Sequence, residues 1–128
     1  MDDFYAMALF DSYIRAIDTN NMRRVKQLSS DPFLRDITCP RAALVGNLSI
    51  LKWARRRGHP WGDTCIRAAQ NKHFRLLKWA KDNGAPWCIK TTGLLAEADN
   101  DNMLHYFLSS PSPKKTQTYR KRYYSNHV

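Results

Sequence analysis

The chain of 128 residues has the length of a single domain, carries a formal net charge of +10 at pH 7, and is 43% apolar and 12% aromatic. This composition excludes a disordered polycation, because it supplies enough apolar side chains for a packed core. No apolar run approaches the roughly 18 residues of a membrane-spanning helix. The acidic residues Asp2 and Asp3 occupy positions at which a secretory signal peptide carries positive charge. We therefore expect a soluble, unsecreted protein without a membrane partner.

The cysteine pattern excludes two further classes of protein. Cys39, Cys65 and Cys88 form no Cys-x-x-C motif and cannot all pair with one another. A disulfide framework and a structural zinc site are therefore not expected, which fits a reducing compartment. Cys39 and Cys65 are predicted to be buried, and Cys88 is the cysteine whose reactivity we would test.

The positive charge is concentrated in two segments of the chain. Residues 36–87 hold ten basic and three acidic side chains, and residues 114–128 hold five basic and no acidic ones. Residues 1–35 are neutral, and residues 88–113 have a net charge of −2. The basicity therefore marks particular regions, and each of the two needs its own explanation.

A repeat of 26 residues organises the chain. Residues 36–61 and 62–87 are identical at 12 of 26 aligned positions. The same offset gives a fainter copy towards the N-terminus, and an offset of 27 aligns residues 103–106 with 76–79. We predict four units, at about 10–35, 36–61, 62–87 and 88–110, followed by a basic tail at 111–128.

The first helix of each unit is predicted from its capping residues. In the second unit Thr38 is expected to be the N-cap, with Pro40 tolerated in the first turn and the helix running through Val45 to a stop at Gly46. The third unit repeats this pattern from Thr64.

The second helix of each unit follows at once. Asn47 is predicted to cap it, apolar residues recur at helical spacing, and Gly58 and Pro60 stop it. Alternation of apolar and polar residues over the length of a strand is absent. The predicted fold is all-α, a short solenoid of about four stacked helix-turn-helix units.

Two motifs carry a resemblance to a known family. Leu-Lys-Trp-Ala at 51–54 followed by Gly-His-Pro-Trp at 58–61, with its copy at 77–80 and 84–87, resembles the divergent ankyrin-like repeats carried by giant DNA viruses of amoebae. The Arg-Ala-Ala of each first helix is similar to the alanine pair of ankyrin repeats. A period of 26 residues leaves no room for the β-hairpin finger of a 33-residue ankyrin unit. The resemblance implies a viral recognition scaffold without catalytic residues.

Stacked units would place equivalent basic residues in rows on the surface. Because Leu51 and Ala54 face the core, positions 49, 52 and 56 turn outward. The rows are Lys26, Lys52, Lys78 and His105; Arg55 and Lys81; Arg23, Ser49 and Arg75; and Arg15, Arg41 and Arg67.

Two interpretations of these rows are open. Repeated Lys is typical of a solvated face, and the Arg row is as compatible with hydrogen bonds near the helix junctions as with binding. Three consecutive Arg at 55–57 exceed what compensation of a helix dipole requires, which favours a binding surface for an anionic partner. The candidate residues in the repeats are Lys52, Arg55, Arg56, Arg57, Arg75, Lys78 and Lys81.

The tail combines basic clusters with aromatic residues. Tyr119, Tyr123 and Tyr124 lie between and beyond the clusters, a composition that suits phosphate contacts with base stacking, or nuclear import. A solvated terminus is the alternative, and packing of the tail on the repeats or on a neighbouring molecule is another. The candidate binding residues here are Lys114, Lys115, Arg120, Lys121 and Arg122.

The four tryptophans occupy two repeated positions. Trp53 and Trp79 follow the Lys of the second helix, and Trp61 and Trp87 follow the Pro of the loop. We predict that they pack between neighbouring units with their indole N–H groups bonded to loop carbonyls, and stacking on bases is the alternative.

No catalytic motif is present in the sequence. It lacks a glycine-rich phosphate loop, His-Glu-x-x-His and a nucleophile elbow, and its histidines are scattered, so we expect no enzyme, cofactor or metal. Two functions stay open: a protein-interaction module that binds an acidic host or viral partner, and a sequence-nonspecific nucleic-acid-associated protein. Either would act in the host cytoplasm or nucleus, or in the virion.

Overall fold

The computed structural model describes residues 2–109, and their side chains from Tyr5 onward. This part of the chain is all-helical and contains no strand, which confirms that the fold is all-α over the described residues. The eight helices are α1 (Asp2–Asp18), α2 (Met22–Leu28), α3 (Pro32–Val45), α4 (Leu48–Arg56), α5 (Thr64–Gln70), α6 (Phe74–Asp82), α7 (Ile89–Glu97) and α8 (Asp101–Ser109).

The helices are arranged as four pairs in two layers. Each second helix (α2, α4, α6, α8) packs on the first helix of its own pair, and the first helices α1, α3, α5 and α7 pack against one another in series. Ala42, Ala43, Ala68 and Ala69 are buried where first helices meet, and their small side chains allow close approach. The second helices therefore lie side by side, each on its own first helix.

The turn between the two helices of a pair is the same in all four pairs. Its central residue has positive φ at Asn20, Gly46, Lys72 and Asp99, so it recurs at intervals of 26, 26 and 27 residues. In each pair the next residue donates its N–H to a carbonyl five residues back, as Asn47 does to Ala42 at 2.8 Å. The backbone thus repeats at the spacing of the sequence.

Asn47 both caps a helix and joins two pairs. Its Oδ1 accepts from the N–H of Ile50 at 3.1 Å, and its Nδ2 donates to the carbonyl of Ile17 in α1 at 3.1 Å. The predicted end of α3 at Gly46 and the predicted cap at Asn47 are both confirmed. His73 reaches back in the same way to the carbonyl of Leu44, 3.1 Å from its Nε2.

The predicted starts of the first helices are wrong. Helix α3 begins at Pro32, where the Asp31 carboxylate accepts from the N–H of Phe33 at 2.8 Å, so Thr38 and Pro40 lie inside the helix. An Asp N-cap followed by Pro at the first helical position is the stronger start signal. Thr64 is likewise the first residue of α5 rather than its N-cap.

Thr38 instead joins α3 to α1. Its buried hydroxyl donates to the carbonyl of Leu34 at 2.7 Å and pairs with the hydroxyl of Tyr13, whose side chain is fully buried in α1. This bond satisfies two polar groups that would otherwise be costly to bury.

The core contains the apolar face predicted for the second helices. Leu51 and Ala54 of α4, and Leu77 and Ala80 of α6, are fully buried. Within residues 2–109 no helix has the combination of length and apolar character that spanning a membrane requires.

Candidate binding surface

The cations of the second helices reach over aromatic rings of the next pair. Lys52 Nζ lies 5.8 Å from the ring centroid of Trp79, and Lys78 Nζ lies 5.3 Å from that of Tyr106. Trp79 and Tyr106 hold equivalent positions in successive units. Such cation–π contacts contribute about 0.5–1 kcal/mol at exposed sites, so Lys52 and Lys78 each make a weak contact with the next pair.

Arg55 has two partners in the loop that follows its helix. Its guanidinium lies 4.3 Å from the centroid of Trp61, and its Nη1 donates to the carbonyl of His59. Both partners belong to the loop between α4 and α5, so Arg55 orders this loop. Lys81 stands at the equivalent position of α6 and lies 4.4 Å from the centroid of Tyr106.

A groove opens between α4 and α6. We call it the α4–α6 groove; its volume is about 400 Å³. No acidic side chain lines it, and none of its three cations forms an ion pair with any residue from 2 to 109. The lining residues are Lys52, Arg55, Arg56, Trp61, Trp79 and Asn83.

The prediction that the tryptophans pack between neighbouring units is confirmed for Trp61, Trp79 and Trp87, whereas the ring contact of Trp53 is with His59 of its own unit. The Trp61 ring centroid lies 5.9 Å from that of Trp79, and Trp87 packs edge-on against Phe107 at 5.0 Å. Trp61 and Trp87 are 7% and 8% exposed. The prediction that the indole N–H groups bond to loop carbonyls is wrong for Trp87, whose buried Nε1 has no partner within residues 2–109.

The junction between α6 and α8 has a different charge balance. Lys78 Nζ lies 3.3 Å from Oδ2 of Asp82, and the hydroxyl of Tyr106 donates to Oδ1 of the same carboxylate. Asp82 stands at the repeat position of Arg56. Lys78 is thereby neutralised within the protein, whereas Lys81 at the same junction and the three cations of the α4–α6 groove form no ion pair with residues 2–109.

The Arg row on the first helices is engaged in structural ion pairs. Arg41 forms two bonds with the carboxylate of Asp18, at 2.9 and 2.7 Å, and these raise the pKa of its guanidinium. Arg67 Nε lies 3.0 Å from Asp63 Oδ2. Two of the three members of this row are therefore paired with carboxylates.

The sequence-predicted site residues do not form one surface. Lys52, Arg55 and Arg56 are together in the α4–α6 groove, whereas Lys78 and Lys81 belong to the α6–α8 junction. Arg75 lines a separate groove of about 480 Å³ beside His73. Arg57 lines a third depression, between α2 and α4. Five candidates lie outside residues 2–109, namely Lys114, Lys115, Arg120, Lys121 and Arg122.

Sequence reasoning missed a pocket between α2 and α4. We call it the α2–α4 pocket; its volume is about 350 Å³. The repeat register contains the signal for it, because Lys26 aligns with Lys52 and the residues that follow align with the lining of the α4–α6 groove. The lining residues are Lys26, Ser29, Ser30, Arg35, Arg57 and His59.

The cysteines offer no accessible nucleophile. All three are free and buried, and burial raises the pKa of the Cys39 thiol to about 12 and raises that of Cys65 as well. Cys88, the cysteine singled out for reactivity, is fully buried too. Within residues 2–109 no three His, Cys, Asp or Glu side chains form a group that could hold a metal ion.

Comparison with known proteins adds no relative. No family model matches the sequence, and no curated protein or solved structure is significantly similar to it. The functional argument therefore rests on the chemistry of the α4–α6 groove and the α2–α4 pocket.

Proposed function

We propose that the chain is a non-catalytic, ankyrin-like helical-repeat protein that binds an acidic segment of a protein partner. The observation that carries this proposal is the α4–α6 groove, a concave surface whose charged residues are all cationic and unpaired within residues 2–109. Helical repeats present such surfaces to protein partners, and the groove between two second helices follows from the stacking.

The chemistry of the groove favours carboxylates over bases. The faces of Trp61 and Trp79 lie beneath Arg55 and Lys52, and Trp61 is 7% exposed. A base that stacks needs an open ring face, whereas a carboxylate needs only donors. Lys52 and Arg56 supply those donors. Exposed ion pairs contribute about 0.2–1 kcal/mol each, so the partner must present several acidic residues.

The proposed origin and location follow the resemblance. The Leu-Lys-Trp-Ala and Gly-x-Pro-Trp motifs resemble those of the ankyrin-like repeats of giant viruses of amoebae, and the matched turns at Asn20, Gly46, Lys72 and Asp99 support a short repeat array. We propose that the protein acts in the cytoplasm or nucleus of the host cell, or in the virion.

The proposal is tested with the full chain and a fluorescein-labelled oligoglutamate peptide, whose binding is followed by fluorescence anisotropy. Arg55 is left intact because it orders a loop. The double substitution Lys52→Gln and Arg56→Gln is expected to weaken binding about tenfold, which corresponds to about 1.4 kcal/mol.

The matched control is Arg15→Gln with Lys72→Gln. Both residues are exposed and lie outside the groove, and their substitution removes the same charge as the double substitution in the groove. We expect the control to change the affinity less than about twofold, because salt screens the charges of residues that lie far from the bound peptide. An equal loss in both double variants would show that the peptide responds to net charge alone and would overturn the proposal.

A second candidate is sequence-nonspecific nucleic-acid binding, favoured by the five basic residues of segment 114–128. Binding through phosphates makes log K fall linearly with log salt concentration. Anisotropy with single-stranded and duplex DNA and with RNA, with and without residues 114–128, tests it. A steep salt slope that the truncation reduces supports this candidate, and absence of binding at low salt excludes it.

A further inference from the structure

The α2–α4 pocket is the counterpart of the α4–α6 groove, one repeat earlier. Lys26 takes the place of Lys52, and Arg57 at the end of α4 takes the place of Asn83 at the end of α6. At the positions between these two residues, the groove has two Arg and a Trp, whereas the pocket has two Ser and an Arg. Ser29, Ser30 and Arg35 stand where Arg55, Arg56 and Trp61 stand in the groove.

Three cations from three elements converge on this pocket. Lys26 comes from α2, Arg35 from α3, and Arg57 from the C-terminus of α4, and none forms an ion pair with another residue from 2 to 109. Ser29 donates its hydroxyl to the carbonyl of Lys26 at 3.2 Å, whereas Ser30 is exposed and has no such bond in this part of the chain. The Ser30 hydroxyl therefore adds a donor.

A buried histidine forms part of the wall. His59 is 3% exposed, its ring packs edge-on against Trp53 with centroids 5.2 Å apart, and its buried Nδ1 has no hydrogen-bond partner within residues 2–109. Burial lowers the pKa of His59 most, followed by the positive charges of Arg35, Arg57 and Arg55, and the negative charge of Asp36 opposes them. The local field is thus positive.

We propose that the α2–α4 pocket binds the dianion of a phosphate monoester, carried on a phosphorylated side chain of the acidic partner. A phosphate monoester has a charge of about −1.5 to −2 at pH 7 and three acceptor oxygens, which matches three cations and a hydroxyl. Arg35 and Arg57 supply the planar donors that bind phosphate oxygens in pairs. The choice of carrier rests on the proposed function, whereas the phosphate site does not.

A monoester fits the pocket better than other anions. A carboxylate brings one negative charge, which compensates less of the charge of the three cations than a dianion does. A phosphodiester in nucleic acid also brings one charge, and it needs a track of cations along a backbone rather than a cluster at one place. The cluster of Lys26, Arg35 and Arg57 around one pocket therefore points to a dianion.

The experiment uses the full chain and follows the imidazole resonances of His59 by NMR during titration with phenyl phosphate. Near neutral pH and above, where the phosphate is mostly dianionic because its second pKa is about 6, we expect saturable shifts of His59. The bound dianion should also raise the pKa of His59. Acetate at the same ionic strength should leave both unchanged.

Variants locate the site. Arg35 and Ser30 are exposed, so the variants Arg35→Gln and Ser30→Ala should fold normally. We expect Arg35→Gln to weaken phenyl phosphate binding about tenfold and Ser30→Ala about threefold, because charge-assisted hydrogen bonds are stronger than neutral ones. Arg15→Gln removes the same charge from α1 and should have no effect. Equal affinity in the wild type and Arg35→Gln would overturn the proposal.

A second comparison identifies the carrier. A phosphoserine peptide should compete with phenyl phosphate, and its unphosphorylated form should not. If oligothymidylate competes with equal affinity per phosphate, the assignment to a monoester is overturned in favour of nucleic acid. Because the substituted residues lie outside the α4–α6 groove, loss of oligoglutamate binding and loss of phosphate binding are separate results.

Discussion

The α4–α6 and α6–α8 junctions are built from the same repeat positions and differ in what their cations contact. At the first, Lys52 and Arg56 border an open groove without an acidic residue. At the second, Asp82 occupies the position of Arg56, where it pairs with Lys78 at 3.3 Å and accepts the hydroxyl of Tyr106. Asp82 and Tyr106 thus engage Lys78 within the chain, whereas Lys52 and Arg56 have no carboxylate partner within residues 2–109.

This difference separates binding from stability within one fold. Removing side chains of the α6–α8 junction should lower the free energy of unfolding without changing affinity for an acidic peptide. Removing Arg56 from the α4–α6 groove should instead lower the affinity and leave the free energy of unfolding nearly unchanged, because Arg56 is exposed and forms no ion pair within residues 2–109.

The largest effect is expected at Phe107, which is fully buried against Trp87. Phe107→Ala leaves a cavity beneath α8 and should lower the free energy of unfolding by about 3–5 kcal/mol, measured by urea denaturation. Below its transition the variant should bind oligoglutamate with unchanged affinity. A loss under about 1 kcal/mol would contradict the structural role of this junction, given the cost of core truncation.

The next effect is a reversal of charge in the groove. Arg56→Asp reproduces the residue found at position 82, and it should weaken oligoglutamate binding by more than about tenfold through repulsion of like charges. Arg56 is exposed and unpaired within residues 2–109, so the free energy of unfolding should stay within about 0.5 kcal/mol of the wild type. Arg15→Asp provides the control. Unchanged affinity would show that the α4–α6 groove does not bind the acidic peptide.

A smaller effect is expected from Tyr106→Phe. The substitution deletes only the hydroxyl that donates to Asp82, and the free energy of unfolding should fall by about 0.5–1.5 kcal/mol. Thermal denaturation measures this change, and anisotropy with oligoglutamate should show no difference. Weaker peptide binding would mean that the α6–α8 junction takes part in recognition.

The smallest effect concerns His59 and acid. Because the pKa of His59 is lowered in the folded chain, the unfolded chain binds a proton first as the pH falls below the ordinary histidine value of about 6.5. This contribution to stability is present above that pH and is lost as the pH falls through the lower folded pKa. His59→Gln should make the free energy of unfolding, measured by urea denaturation, fall less steeply with decreasing pH. Substitution of the exposed His105, His105→Gln, should not change this slope. An equal slope in both variants would contradict the assignment.

Much of the fold follows from local signals in the sequence. The 26-residue spacing, Gly46 and Asn47 predict the turns and their register, because left-handed residues and N-caps act within a few residues of the chain. The start of α3 does not follow from Thr38 and Pro40, since the stronger cap and first-turn proline lie upstream at Asp31 and Pro32. The stronger of two competing local signals therefore decides where α3 begins.

The composition of the site follows from the sequence less well. That Lys52 and Arg56 face outward is readable from helical spacing, but the neutralisation of Arg41 depends on Asp18, 23 residues away along the chain. The α2–α4 pocket likewise joins Arg35 to Arg57 across two helices. Which cations stay available is therefore decided by contacts between units.

The most direct test of the central claim maps where an acidic peptide contacts the full chain. Oligoglutamate added to isotopically labelled protein should shift the side-chain signals of Trp61, Trp79 and Asn83 in the α4–α6 groove. The signals of Tyr106 and Phe107 at the α6–α8 junction should stay unchanged. Shifts of equal size at both junctions would contradict the claim that one charge difference decides which junction binds.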